Sequence, residues 1–127
     1  AASATENLRG LAALKQCLKV TLPMTEELRM EWKVRLVFWS MAAVDDALHD
    51  PQSVRFQKAV HHFSKHIQEA FNDGELSHNE SAEALSRRLL NLISGMSIAA
   101  LHNARYGSNA FLQQEIDYLT KSLSLKP

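Results

Sequence analysis

Apolar residues recur along this chain at intervals of three and four, the period of a helix face, and no segment keeps the alternation of a strand. Leu8, Leu11, Leu14, Leu18 and Leu22 form the first such face, with Ser3 and Glu6 in capping-box register before it and Pro23 after it. Thr25 offers the next N-cap, with Glu26 and Glu27 in the first turn where the helix dipole favours negative charge, and that helix is expected to run to about His49. Asp50 followed by Pro51 predicts a restart. The third face carries Phe56, Val60, Phe63, Ile67 and Phe71 and closes at Gly74.

Ser77 or Asn79 can cap a fourth helix whose stripe reads Leu85, Leu89, Leu92, Met96, Ala99 and Asn103, stopped by Gly107. Ser108 or Asn109 caps a fifth, with Leu112, Ile116, Leu119 and Leu123 inward. No self-similarity at solenoid periods is visible. The expected architecture is a single all-α domain over residues 1–127, a five-helix bundle.

The second helix departs from a simple one-sided pattern. From Leu36 to Leu48 only Ser40, Asp45 and Asp46 interrupt apolar side chains, so it is expected to be buried on several sides and to run through the middle of the bundle. Arg35 stands among its aromatics, one turn from Trp39 and three residues from Trp32. A buried guanidinium needs a carboxylate, water or a ligand anion. Asp45 lies ten residues away, nearly three turns along the same helix, so it cannot pair with Arg35 directly. Apolar walls with a few polar groups are the composition of a ligand pocket. The expected pocket takes Trp32, Arg35, Phe38 and Trp39 from the second helix, Phe63, His66 and Ile67 from the third and Met96 from the fourth.

Composition narrows the classes. With 127 residues, 46% apolar, and 4 glycines and 3 prolines, the chain can bury a core and is not disordered or collagen-like. Its 14 basic and 14 acidic residues balance and no basic cluster stands out, which argues against a broad phosphate-binding surface. Cys17 is the sole cysteine, so no intrachain disulfide forms. No apolar run approaches the roughly 20 residues of a membrane span, and a cytoplasmic protein without membrane contact is expected.

Candidate chemistry is sparse. His62 and His66 are four apart on one helix, but no third ligand stands near them in sequence. They read as solvent-facing histidines beside Lys58 and Lys65, so no metal ligand and no cofactor is expected. Glu75 and His78 imitate one Glu-x-x-His unit but sit in a turn beside Gly74. No nucleophile with an evident base, no glycine-rich phosphate loop and no HExxH is present. Catalysis is therefore not expected.

The run "TEELRMEWKVRLVFWSMAAVDDALHDP" followed by "AFNDGELSHNESAEALSRRLLNLISGM" resembles the C-terminal domain of TetR-family transcription regulators, in the group that includes the choline-responsive repressor of betaine synthesis. Glu31, Trp32, Phe38, Trp39, the His49 to Pro51 corner, the Gly74 to Leu76 turn and the helix containing Gly95 carry the resemblance. It implies an all-helical part that senses a small effector and dimerises, and a helix-turn-helix DNA-binding module expected to lie outside this chain, since residues 1–30 show none. Arg35 stands where many of those relatives have an aromatic, commonly tryptophan. That exchange disfavours a quaternary ammonium ligand and favours a small apolar or amphipathic effector, anionic rather than cationic.

A second strip on the fourth helix, Ala84, Asn91, Gly95, Ile98 and His102, and an outer strip on the fifth with Phe111, Glu115, Tyr118 and Ser122 have no internal partner. They suit a two-fold homodimer, with Asn91, Gly95, Ile98, His102, Phe111, Glu115 and Tyr118 in the interface. The competing class is a haem-, metal- or lipid-binding helical bundle with no DNA-related role.

Overall fold

A computed structural model describes residues 7–124, and among them the chain is helical: α1 Gly10–Thr21, α2 Glu26–Val44, α3 His49–Asn72, α4 Ala82–His102, a one-turn α5 Ala104–Gly107 and α6 Asn109–Leu123. A 3-10 turn, Asp46–Leu48, joins α2 to α3. The five expected helices are present, and α5 is an extra turn where the fourth helix was expected to continue to Gly107. Asn103 breaks α4 there by adopting an extended conformation and accepting the Arg105 N–H with its side chain at 2.9 Å.

Caps explain most boundaries. Thr25 accepts the Leu28 N–H at 3.1 Å and Ser108 that of Phe111 at 3.2 Å, as their positions predict. Gly74, at φ +72°, reverses the chain after α3, and the Glu75 N–H returns to the Ala70 carbonyl at 2.8 Å. Two boundaries differ from expectation. The α2–α3 break falls at Asp45, whose carboxylate takes the Ala47 N–H at 3.0 Å, so α3 begins at His49, ahead of Pro51. The fourth helix is capped by Ser81, not by Ser77 or Asn79, because Ser81 alone is extended directly before the first helical turn and accepts from Ala84. The capping box at Ser3 and Glu6 lies outside the described residues, and Leu8 is exposed ahead of the helix.

The core forms where α3 packs along α4 on one side and α1 on the other, with α6 docked on α1. From α1 come Leu14, Cys17, Leu18 and Leu22; from α3, Val60, Phe63, Ile67 and Ala70; from α4, Leu85, Leu89, Leu90 and Ile93; from α6, Leu112 and Ile116, all buried. Each large apolar side chain so buried contributes roughly 1.5–3 kcal/mol. Ser86 is buried too and donates to the Val60 carbonyl at 2.7 Å, stitching α4 to α3. Within α4 the inward stripe is rotated from the expected one: Leu89, Leu90, Ile93, Ser97 and Ala100 point in, while Leu92 is half exposed and Asn103 is exposed. Two adjacent apolar lines run along this helix, and the small residues Ser86, Ser97 and Ala100 mark the one that lets α3 and its neighbours come close.

The larger correction concerns α2. It does not run through the middle of the bundle. Trp32 and Ala42 are its buried residues, whereas Met30, Val34, Val37, Met41 and Val44 are each more than half exposed. These five, spaced by four and three, form the apolar side that made the helix read as buried all round. In this chain α2 lies across the edge of the bundle, with its aromatic face against α3 and α4 and these aliphatic side chains exposed.

Candidate effector cleft

Between α2 and α3 lies a cleft of about 820 Å³, within the range of small-molecule sites. The α2 wall is Met30, Glu31, Trp32, Val34, Arg35, Phe38 and Trp39, and the α3 wall is Gln52, Arg55, Phe56, Lys58, Ala59, His62 and Phe63. Leu90, Ile93 and Ser94 of α4 and Thr21 of α1 complete it. The walls follow from helical spacing, since positions three and four apart share a face on each helix.

Trp32 anchors the inner end. Its indole N–H donates to the Thr21 carbonyl at 2.6 Å, one of the carbonyls that the end of α1 leaves without an intrahelical partner. Trp39 meets it edge-to-face, with centroids 5.8 Å apart and planes at 88°. Arg35 lies over the Trp32 ring with its guanidinium carbon 4.4 Å from the centroid. Burial pushes its pKa down, opposed by Glu31 one turn away, yet arginine remains a cation in proteins. From the opposite wall, Arg55 lies over Phe38 at 4.7 Å. Two of the cleft's aromatic faces are thus already covered by the chain's own guanidinium groups. With Lys58 beside them and Glu31 the one acidic residue lining the cleft, the lining carries an excess of positive charge.

Of the residues named from sequence, Trp32, Arg35, Phe38, Trp39 and Phe63 line the cleft, and His66, Ile67 and Met96 do not. Ile67 is fully buried in the core, and Met96, partly buried, packs against it. His66 is buried as well, its Nδ1 2.9 Å from the Glu69 carboxylate, so solvent-facing describes His61 but not His66. Its neighbour His62 is half-buried; desolvation and then the charge of His66 hold its pKa down. Burial pushes the thiol of nearby Cys17 up. Sequence reading missed Gln52, Arg55, Lys58 and His62; the face of Gln52, Arg55, Phe56, Ala59 and His62, each three or four residues from another of the set, was the available signal for all but Lys58.

The residues expected at a dimer interface are outward. Asn91, Gly95 and His102 are exposed and Ile98 half-buried on α4; on α6 Tyr118 is exposed, Glu115 half-buried, and Phe111 half-buried against Tyr106, with centroids 5.2 Å apart.

Across residues 11–123 the sequence matches the family of BetI-type transcriptional repressor C-terminal domains. The chain belongs to that family. The structure of this BetI-type domain is similar to the crystal structure of a transcriptional-regulator candidate from Saccharomonospora viridis in complex with choline, with a TM-score of 0.86 at 20% sequence identity, covering 98% of this chain and 66% of that one. At that identity the likeness establishes the shared all-helical fold. No curated protein matches the sequence. Among the described residues no helix of the BetI-type domain is long and apolar enough to cross a membrane.

Proposed function

We propose that this BetI-type domain is the effector-sensing and dimerising part of a transcription regulator, acting on DNA through a helix-turn-helix module outside the chain, and that its effector is an apolar or amphipathic molecule bearing an acidic group. The observation that carries the ligand class is the placement of Arg35 over Trp32 and Arg55 over Phe38 in a mostly apolar cleft. A quaternary ammonium needs bare aromatic faces and no neighbouring cation. Here the faces hold guanidinium groups, whose remaining N–H donors are suited to a carboxylate and whose charge repels choline. An aliphatic or aromatic body would lie along Phe56, Phe63, Leu90 and Ile93. The choline of the S. viridis regulator is therefore not carried over to this chain.

The effector can shift DNA affinity only by as much as it binds one dimer arrangement better than another, typically about 1–3 kcal/mol. The outward strips of α4 and α6, with Leu92 half exposed and no side chain at Gly95, support a two-fold homodimer as the unit on which it acts.

Trp32 and Trp39 line the cleft, so intrinsic fluorescence reports its occupancy. Titration with matched series of carboxylic acids, alcohols and trimethylammonium analogues of equal chain length, choline included, tests the reading. The acids are expected to bind tightest and to quench most. Tighter binding of choline or of the trimethylammonium series than of the acids would overturn it.

A further inference from the structure

Behind the α3 wall, three side chains from two helices converge. Cys17 of α1 and His62 and His66 of α3 each bring a donor atom within 4.8 Å of the other two. Cys17 Sγ is 3.8 Å from His62 Nε2, and the two imidazoles meet edge-to-face with centroids 5.5 Å apart. Cys17 and His66 are buried, and His62 is half-buried with one side on the cleft. A buried thiol and a buried imidazole are commonplace separately. Their convergence with a second imidazole is the donor set of a borderline-soft cation.

The surroundings prepare His66 for that role. Its Nδ1 lies 2.9 Å from Glu69 Oε1, and the same oxygen accepts the Gly10 N–H at 3.0 Å. A carboxylate held from both sides keeps the imidazole proton on Nδ1, which leaves the Nε2 lone pair available on the far side of the ring. Metal-bound histidines are oriented by such carboxylates, and their removal typically weakens binding by about 10- to 100-fold.

We propose that Cys17, His62 and His66 bind one zinc ion, with Glu69 as the positioning residue for His66. A tetrahedral zinc with these ligands separates its donors by about 3.3–3.6 Å. The Cys17–His62 gap of 3.8 Å needs to close by a few tenths of an ångström, and no donor pair, all lying within 4.8 Å, by more than about 1.5 Å. Binding replaces the thiol proton, which leaves to solvent, and two neutral imidazoles donate lone pairs; no electron is transferred. Three protein ligands leave a fourth position for water or for a donor atom of a cleft ligand. The ion would tie α1 to α3 and fix the His62 ring that lines the cleft. The site stands independently of the effector class argued above.

The test is direct titration of the metal-free, reduced chain with zinc against a chromophoric chelator, and with cobalt followed by absorbance. The wild type is expected to bind one equivalent of either, the cobalt form showing tetrahedral ligand-field bands and a thiolate-to-metal charge-transfer band. Cys17→Ser should abolish the charge-transfer band, and His62→Gln should lower zinc affinity at least tenfold while circular dichroism shows an unchanged helix content. Glu69→Gln should lower affinity about 10- to 100-fold with the charge-transfer band retained, and His61→Gln, at an exposed neighbour, should change nothing. If Cys17→Ser fails to fold, His62→Gln decides the matter alone, since its position is half exposed. Absence of a charge-transfer band in the wild type, or affinity unchanged in His62→Gln, overturns the proposal.

Discussion

The indole N–H of Trp32 on α2 donates to the carbonyl of Thr21, in the last turn of α1, at 2.6 Å. This bond fixes where α2 starts relative to α1 and holds the inner wall of the cleft. It joins two residues eleven apart across Pro23, whose ring ends the preceding helix. Trp32→Phe keeps an aromatic there but leaves the carbonyl without its donor. The expected cost is about 1–3 kcal/mol in urea unfolding, together with a wider cleft and weaker ligand binding. Equal stability of the two proteins would show that water replaces the indole without loss.

Arg35 offers a cleaner separation of binding from folding. Among the described residues no carboxylate lies within ion-pair distance of it, and its partner is the Trp32 face. Arg35→Met retains a flexible apolar stem over that ring, so unfolding free energy should change by no more than about 1 kcal/mol. Affinity for an acidic probe should drop about tenfold, near 1.4 kcal/mol, and affinity for a trimethylammonium probe should rise as a cation is removed from an aromatic face. Paired fluorescence titrations check both signs, and a fall for both probes alike would mean lost shape rather than lost charge.

The two glycines with positive φ should respond differently to alanine. Gly10, at φ +61°, has the Glu75 carboxylate where a Cβ would stand, and that carboxylate accepts the Leu11 N–H at 3.1 Å. Gly74, at φ +72°, has nothing within 4 Å of that position. Gly74→Ala should therefore cost only the backbone strain, about 1–2 kcal/mol, while Gly10→Ala adds the displaced hydrogen bond, about another 1 kcal/mol. Thermal or urea unfolding of the pair measures the difference, and equal losses would mean that Glu75 moves aside freely.

What the sequence disclosed and what it withheld follow from range. Thr25, Gly74 and Ser108 act on neighbours within a few residues, so their caps were readable from type and position. The aromatic wall of α2 was readable because Trp32, Arg35 and Trp39 recur at helical spacing. The burial of α2 was not: a helix apolar on two sides is packed on both or presents one outward, and Val37, Met41 and Val44 took the second course. Leu92 was misplaced for a related reason, since two apolar lines on α4 competed and only the close approach marked by Ser86 and Ser97 separates them. Arg55 over Phe38 depends on how α3 lies against α2, and the approach of Cys17 to His62 spans 45 residues of sequence. Local periodicity carries no information about either.

The outward face of α4 bears the last prediction. Asn91 and Gly95 are exposed one turn apart, Ile98 is half-buried and His102 exposed a turn further on, its Nδ1 donating to the Ile98 carbonyl at 2.8 Å. Leu92 extends the same side with about half of its surface in water, and the absent side chain of Gly95 lets another backbone approach. On α6, Tyr118 is 68% exposed, a large area for an aromatic with no ring partner among the described residues. A two-fold axis would bring each strip against its copy, so a single substitution acts twice. Ile98→Glu then places two carboxylates in a surface emptied of water, where like charges cost several kcal/mol. The variant should sediment as a monomer at concentrations where the wild type is a dimer, with its helical circular dichroism retained because Ile98 is not a core residue. Asn91→Asp, at the exposed edge, should weaken the dimer less. A wild type that sediments as a monomer, or a dimer indifferent to Ile98→Glu, would move the interface away from this strip.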